Sequence, residues 1–218
     1  YLLREKTMSW RNANTLTYDN KKLFKGRDKL NVLIGHEVSS SQETSLENTS
    51  VAFPGTMTID EVLANMGAGT ALPTQTTISA KDNMLSFFGR VNYTLMDKYL
   101  LTVTVRADGS SKFAKGNQWG VFPSAALAWR LSDEAFMKGT QDWLSNLKVR
   151  LSYGTAGNNR ISSGLMYTTY TMAGNTGKAP FFDETRGAML EHGSNLYNPN
   201  LKWETTITRN IGFDYGFF

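Results

Sequence analysis

From Asn83 to Tyr153 apolar and polar residues alternate in short runs. Met84 to Leu95 sets Leu85, Phe87, Val91, Tyr93 and Leu95 on one parity, against Ser86, Arg90, Asn92 and Thr94. Tyr99 to Asp108 repeats the pattern, with Tyr99, Leu101, Val103, Val105 and Ala107 opposed to Thr102, Thr104, Arg106 and Asp108. Trp119 to Arg130 and Leu147 to Tyr153 continue it, the latter pairing Leu147, Val149 and Leu151 against Lys148, Arg150 and Ser152. A side-chain period of two describes a strand with one apolar and one polar face. Arg11 to Asn20, Lys29 to Val38 and Leu201 to Tyr215 complete seven predicted strands. The longer runs approach ten residues and begin or end in aromatics, as strands do that cross hydrocarbon once and rest aromatics at its interfaces. Trp119 and Trp129 share a parity ten positions apart, a vertical span of roughly 23 Å at a 45° tilt. With Tyr99 and Tyr153 they form the predicted interfacial girdle.

Connection lengths add direction. The long segments Ser39–Asp82 and Gly154–Asn200, and the moderate Gly109–Gln118, all follow even-numbered strands, whereas Met96-Asp97-Lys98 and most short connections follow odd ones. Outer-membrane barrels have short periplasmic turns and long extracellular loops. A short helix is predicted near Ile59 to Met66, and Ser132-Asp133-Glu134 is placed to cap a single helical turn. Alternation also occurs in soluble sandwiches, but their strands average five or six residues and loops of about 45 residues are uncommon in compact domains. Seven strands leave two open edges, which hydrocarbon does not tolerate. The chain also opens without methionine directly on strand-like sequence, so it is expected to be an internal piece of a larger closed barrel, with Phe218 a truncation point.

Composition narrows the function. The 218 residues carry a net charge of only +4, with basic residues scattered, which argues against a nucleic-acid partner. There is no cysteine, and the two histidines, His36 and His192, stand far apart without carboxylates at ligand spacing, so no metal or cofactor is expected. No run of 18 apolar residues exists, and no signal peptide appears at Tyr1. Negative mean hydropathy is compatible with a barrel, half of whose spanning residues face a polar lumen. The pairs Asp60-Glu61, Asp133-Glu134 and Asp183-Glu184 are adjacent and would diverge on a strand, Gly67-Ala68-Gly69 is too short for a dinucleotide fingerprint, and no nucleophile elbow exists. An enzyme is not expected.

Arg90, Arg106, Lys148, Arg150, Lys202 and Glu204 occupy polar parities and are the candidate lumen-lining residues. Asp108-Gly109-Ser110-Ser111 has the composition of a turn at a strand end. Phe113, Tyr167, Tyr170, Phe181 and Phe182 are loop aromatics that suit either sugar stacking or packing.

The run Val105-Arg106-Ala107-Asp108-Gly109-Ser110-Ser111-Lys112-Phe113, followed by Gln118-Trp119-Gly120-Val121-Phe122-Pro123-Ser124 and Trp129-Arg130-Leu131-Ser132-Asp133-Glu134, resembles the SusC/RagA family of TonB-dependent outer-membrane transporters of Bacteroidota. Leu147-Lys148-Val149-Arg150-Leu151-Ser152-Tyr153-Gly154, Asn198-Pro199-Asn200-Leu201-Lys202-Trp203-Glu204 and Asn210-Ile211-Gly212-Phe213-Asp214-Tyr215-Gly216 match in order and spacing. Lys112, Ala156 and Asn159 stand where that family often has arginine, glycine and glutamine. The resemblance implies an all-β transmembrane antiparallel barrel of about 22 strands, of which residues 1–218 supply about seven; the plug domain and remaining strands lie elsewhere. It further implies import of an oligosaccharide, or less so a peptide, driven through a TonB complex that contacts a part not present here, with a SusD-like surface lipoprotein capping the mouth. The other reading is a non-transporting surface barrel in the lipid bilayer, an adhesin or lipoprotein platform.

Overall fold

The computed structural model describes residues 1–23, 26, 28–140, 142–168, 170–173, 189–192 and 197–217. The strands are β1 (Leu2–Leu23), β2 (Asp28–Asn48), β3 (Ser50–Val51), β4 (Thr70–Ala71), β5 (Gln75–Ile78), β6 (Asp82–Leu95), β7 (Tyr99–Ser110), β8 (Trp119–Arg130), β9 (Leu144–Asn158), β10 (Tyr170–Ala173), β11 (Met189–His192) and β12 (Glu204–Phe217). Seven of them form one antiparallel sheet in the order β1-β2-β6-β7-β8-β9-β12, with β5 added along β2 beyond the start of β6. Neighbours in the chain are neighbours in space, as in an up-and-down barrel wall. Two short ribbons, β3–β4 and β10–β11, stand apart from it.

Register carries the alternation across the whole sheet. One row reads Tyr18, Val32, Val91, Val103, Ala125 and Tyr153, and the next reads Leu30, Tyr93, Leu101, Leu127, Leu151 and Ile211. Directly paired residues point to the same side, so one face is almost wholly apolar. Leu85, Val103, Leu127 and Leu151 share it, as predicted. Large side chains on that face, among them Leu16, Ile34, Phe87, Val121 and Ile211, are exposed, whereas Phe113, Phe122 and Leu144 are the buried apolar side chains among the described residues. The sheet therefore has no soluble-type core. Its apolar face is suited to hydrocarbon.

Several boundaries differ from the sequence pattern. β2 continues to Asn48, so its last ten residues lie in what reads as the loop Ser39–Asp82. That stretch, Ser39 to Asn48, is polar on nearly every position and pairs with Leu2 to Arg11, ahead of the predicted first strand. No alternation marks it because both of its faces meet water. β2 spans 21 residues, about 70 Å of strand or about 50 Å of depth at a 45° tilt, well beyond a hydrocarbon core, so the paired ends Leu2–Arg11 and Ser39–Asn48 project on the side of the long connections. β9 likewise runs on to Asn158. The last strand begins at Glu204, leaving Leu201, Lys202 and Trp203 outside it.

The opposite edge is tightly turned. Between β6 and β7, Met96 (φ 52°) and Asp97 (φ 58°) are both left-handed, and Lys98 N–H donates to the Leu95 carbonyl at 3.0 Å. The buried Asp28 carboxylate accepts from Tyr93 Oη (2.8 Å) and Met96 N–H (3.3 Å), and Lys29 pairs with Asp97, so β2 holds this turn in place. After β8, 3₁₀ turns at Leu131–Asp133 and Ala135–Thr140 occupy the predicted helical position. In the long connection, helix α1 (Ile59–Ala64) starts with Thr58 and Glu61 capping each other's backbone N–H groups.

Val103→Arg places a charge on the apolar face and is expected to cost about 2–4 kcal/mol, whereas Thr104→Arg, one position along, is expected to be tolerated. Heat-modifiable mobility of outer-membrane fractions reads this out; equal loss for both variants contradicts the facial assignment.

Candidate functional site

The second face of the sheet gathers the predicted charges. Cross-strand pairing puts Arg90 opposite Leu33 and Thr104, Arg106 opposite Phe88 and Phe122, Arg150 opposite Ala128 and Gly212, Lys148 opposite Arg130 and Asp214, and Glu204 opposite Asn158. Lys202 precedes β12 and has no place in this array. Between the charges lie hydroxyls and amides: Thr102 donates to Asn92 Oδ1 (2.9 Å), Asn92 to Asn31 Oδ1 (3.2 Å) and Asn210 to Ser152 Oγ (3.2 Å).

Most of these charges are paired within the sheet. The Arg106 guanidinium donates to Asp108 Oδ2 (2.9 Å) and Ser86 Oγ (3.0 Å), and lies 5.4 Å from the Phe88 ring centre. Asp108 Oδ1 sits 2.7 Å from Arg106 Nε without the angle of a hydrogen bond. Arg150 donates to Asp214 Oδ1 at 2.6 Å, with Lys148 3.8 Å from the second oxygen. Asn158 donates to Glu204 at 2.8 Å. Arg90 differs: it is exposed and, among the described residues, has no hydrogen-bonding or ionic partner.

At the long-connection end, Asp108, Gly109 and Ser110 lie inside β7, not in the turn their composition suggests. Gly109 does not supply a positive φ. It makes room for the Trp119 ring, whose nearest atom would stand 3.0 Å from an added Cβ. Asp108 and Ser110 are buried. Ser111 begins the turn and clips it to β6, accepting from Asn83 N–H (2.9 Å) and donating to the Lys81 carbonyl (3.2 Å). Lys112 reaches the Ile161 carbonyl (3.0 Å) and Asp82 (3.6 Å). The motif thus ties three strand ends together.

An aromatic knot completes this rim. The Trp203 ring centre lies 5.4 Å from those of Phe113, tilted against it, and Phe122, edge-on to it, and its indole N–H donates to the Gln118 carbonyl at 2.9 Å. Phe113 is buried inside the rim, not presented to a ligand. Phe122 lies across Gly120 and Gly157, where an added Cβ would stand 2.4 Å and 2.0 Å from its Cζ. Tyr167 is exposed, while Phe181, Phe182 and the Tyr170 side chain lie outside the described residues. Nothing in strand periodicity marks Trp203, which reads as a strand position; Gly120, on the parity of Phe122, is the available signal.

The girdle candidates divide between the ends. Trp119 stacks on Phe87 (6.3 Å), and Tyr99 stacks on Trp129 (5.9 Å). Tyr153 stands 5.9 Å beneath the Arg209 guanidinium. At the tight-turn end Glu134 accepts from Tyr99 Oη (2.7 Å), Lys98 Nζ (2.9 Å) and Trp129 Nε1 (3.1 Å). These donors hold its pKa down to about 2, Lys98 contributing most and Tyr99 next. Among the described residues no three His, Asp or Glu side chains gather as a metal-ligand set.

Residues 4–218 match the family described as TonB dependent receptor-like, beta-barrel. The TonB-dependent receptor SusC of Bacteroides thetaiotaomicron is 41% identical over 144 residues, covering 66% of this chain and 14% of that protein. TonB-dependent receptor P26 of Formosa agariphila is 32% identical over 219 residues, covering 97% of this chain and 20% of that protein. The structure of the RagAB peptide transporter superposes with a TM-score of 0.77 at 25% identity, covering 99% of this chain and 22% of that chain. The chain therefore spans a fifth or less of the length of these two curated relatives.

Gly157→Ala drives a methyl into the Phe122 ring and is expected to cost about 1–3 kcal/mol, read as a lower unfolding midpoint, with Phe122→Leu in the same chain restoring part of it. Glu134 yields a pH prediction. Its carboxyl is more acidic folded than at its ordinary value of 4.5, so the stability it contributes is present above pH 4.5 and is lost as pH falls toward about 2. Below pH 4.5 the unfolding midpoint of the wild type should fall more steeply than that of Glu134→Gln; parallel curves would contradict the tether.

Proposed function

Because the chain belongs to the TonB-dependent receptor-like β-barrel family, we propose that residues 1–218 form part of the wall of an outer-membrane active importer driven through TonB. The plug domain and the remaining strands lie outside this chain. The observation that carries the reading is the two-faced sheet. An apolar face suited to lipid backs a face of hydroxyls, amides and paired charges suited to a water-filled lumen. The cargo is an oligosaccharide, with peptide the alternative that the RagAB peptide transporter brings into view. Neutral polar groups such as Thr102, Asn92, Ser152 and Asn210 match a hydroxyl-rich cargo by hydrogen bonding. On the long-connection side, the segments between β2 and β6 and between β9 and β12 face outward and meet a SusD-like lipoprotein.

The lumenal charges fall into two roles. Arg106, Arg150 and Lys148 brace the wall through Asp108 and Asp214. Arg90, exposed and unpartnered among the described residues, docks the plug by pairing with a plug carboxylate.

Deleting the gene, or disabling TonB, is expected to abolish uptake of the cognate oligosaccharide in whole cells while the surface lipoprotein remains. Uptake that persists in both strains identifies a non-transporting surface barrel instead. Arg90→Gln is expected to raise passive leak of small antibiotics severalfold with barrel assembly unchanged, since it removes one charge-assisted contact. Unchanged leak with weakened cargo binding assigns Arg90 to the cargo path.

A further inference from the structure

Hydroxyls and amides in the middle of the polar face are spent on one another, but those at its outer end are not. There the row Ser9, Ser41 and Asp82 lies beside the row Arg11, Ser39, Met84 and Ser110, across β1, β2, β6 and β7. Ser39 and Ser41 are half-buried. Neither their hydroxyls nor that of Ser9 has a hydrogen-bonding partner among the described residues. Ser110 is buried, and its Oγ accepts from Lys112 N–H (3.3 Å) and Asn159 Nδ2 (3.4 Å), which leaves its own O–H to give. The Asn159 amide nitrogen also faces Met84 Sδ (3.5 Å), and its carbonyl oxygen is open to a donor.

These groups line a recess of about 580 Å³. It forms where β6 begins, at Asp82, and the chain after β9 closes one side of it. β8 lies between β7 and β9, so that segment crosses the end of β8 to reach the recess. Lys112 Nζ holds it by the Ile161 carbonyl (3.0 Å), and Ser163 holds it by Asp82. Charge here is already neutralised in pairs: Arg11 with Glu37 at 2.5 Å, and Lys112 with Asp82 at 3.6 Å. What remains is a set of uncharged donors and acceptors in a volume typical of small-ligand sites. Ser9 and Ser41, directly opposed, stand about 5 Å apart, with Ser39 about 7 Å further along β2, separations comparable to those of hydroxyls across and between sugar rings. An extended peptide would need a free strand edge, and here β2 is paired on both sides, by β1 and by β6.

We propose that this recess is a subsite for one neutral sugar unit of the cargo at the outer end of the lumen. Ser39, Ser41 and Ser110 exchange hydrogen bonds with its hydroxyls, Asn159 accepts another, and the Met84 side chain lies against its C–H surface. The proposal rests on the reading of the protein as an oligosaccharide importer and narrows the cargo to uncharged glycans.

The test uses full-length protein in nanodiscs and equilibrium binding of a labelled panel. The probes are linear gluco-, manno-, galacto-, xylo- and fructo-oligosaccharides, oligogalacturonates, and a tryptic digest of casein. The wild type should bind at least one neutral oligosaccharide in preference to the oligogalacturonates and the peptides. The double variant Ser39→Ala/Ser41→Ala removes two hydroxyls and leaves the space, and should bind that sugar about tenfold more weakly. Ser39→Phe fills the recess and should abolish binding. Heat-modifiable mobility confirms that both variants assemble. Unchanged affinity in both assembled variants overturns the subsite while leaving the importer reading intact. A wild type that prefers oligogalacturonates overturns the neutral class alone. A wild type that binds only peptides overturns the subsite together with the oligosaccharide reading.

Discussion

The structure rests on one constraint: in hydrocarbon, every backbone N–H and C=O must find its partner within the protein. Antiparallel pairing in the order β1-β2-β6-β7-β8-β9-β12 meets it between neighbouring strands, and the other features follow. Strands must be long enough to cross, so the membrane-spanning members run to 12 residues and more. Side chains must then sort by face, since the ladder leaves them no other freedom. Pro123, which has no N–H to give, is accommodated on β8 with its carbonyl accepting from the Thr155 hydroxyl at 2.8 Å.

The polar groups are handled differently at the two ends. At the tight-turn end, single acidic hubs do the organising: Asp28 gathers a phenol and a backbone N–H, and Glu134 gathers a phenol, an indole and an ammonium. At the other end, backbone clips and an aromatic knot take over, with Ser111, Lys112 and Trp203 binding segments far apart in sequence. Short turns can be fixed by one carboxylate. Long connections need several contacts before they leave the wall.

The fold was legible because a period of two survives in any strand that has lipid on one side. Leu85 to Leu151 could be assigned to a face from spacing alone, and their register bears this out. Legibility failed where that asymmetry ends. Ser39 to Asn48 is strand with water on both faces, so it reads as loop. Trp203 fits the parity of β12, yet ring packing against Phe113 and Phe122 holds it short of the strand. Asp108 and Gly109 have turn chemistry, but a Trp119 ring needed the space a side chain would fill. Arg209 was visible as a charge and unremarkable until register put it among valines. The charges of the polar face were assignable by parity, whereas their pairing with Asp108 and Asp214 depends on which strands lie side by side.

The contact of Phe122 with Gly120 and Gly157 has an evolutionary consequence. The ring fills the volume above two backbones that have no Cβ, so the three positions cannot vary independently. A methyl at either glycine is harmful while the phenyl is present, and a small residue at 122 leaves a hole while the glycines remain. Divergence among homologous walls must cross this trio through coupled replacements of residues on β8 and β9. Chimeras that exchange β8 without β9 would inherit mismatched halves of it, so recombination breakpoints should fall outside the segment that joins them.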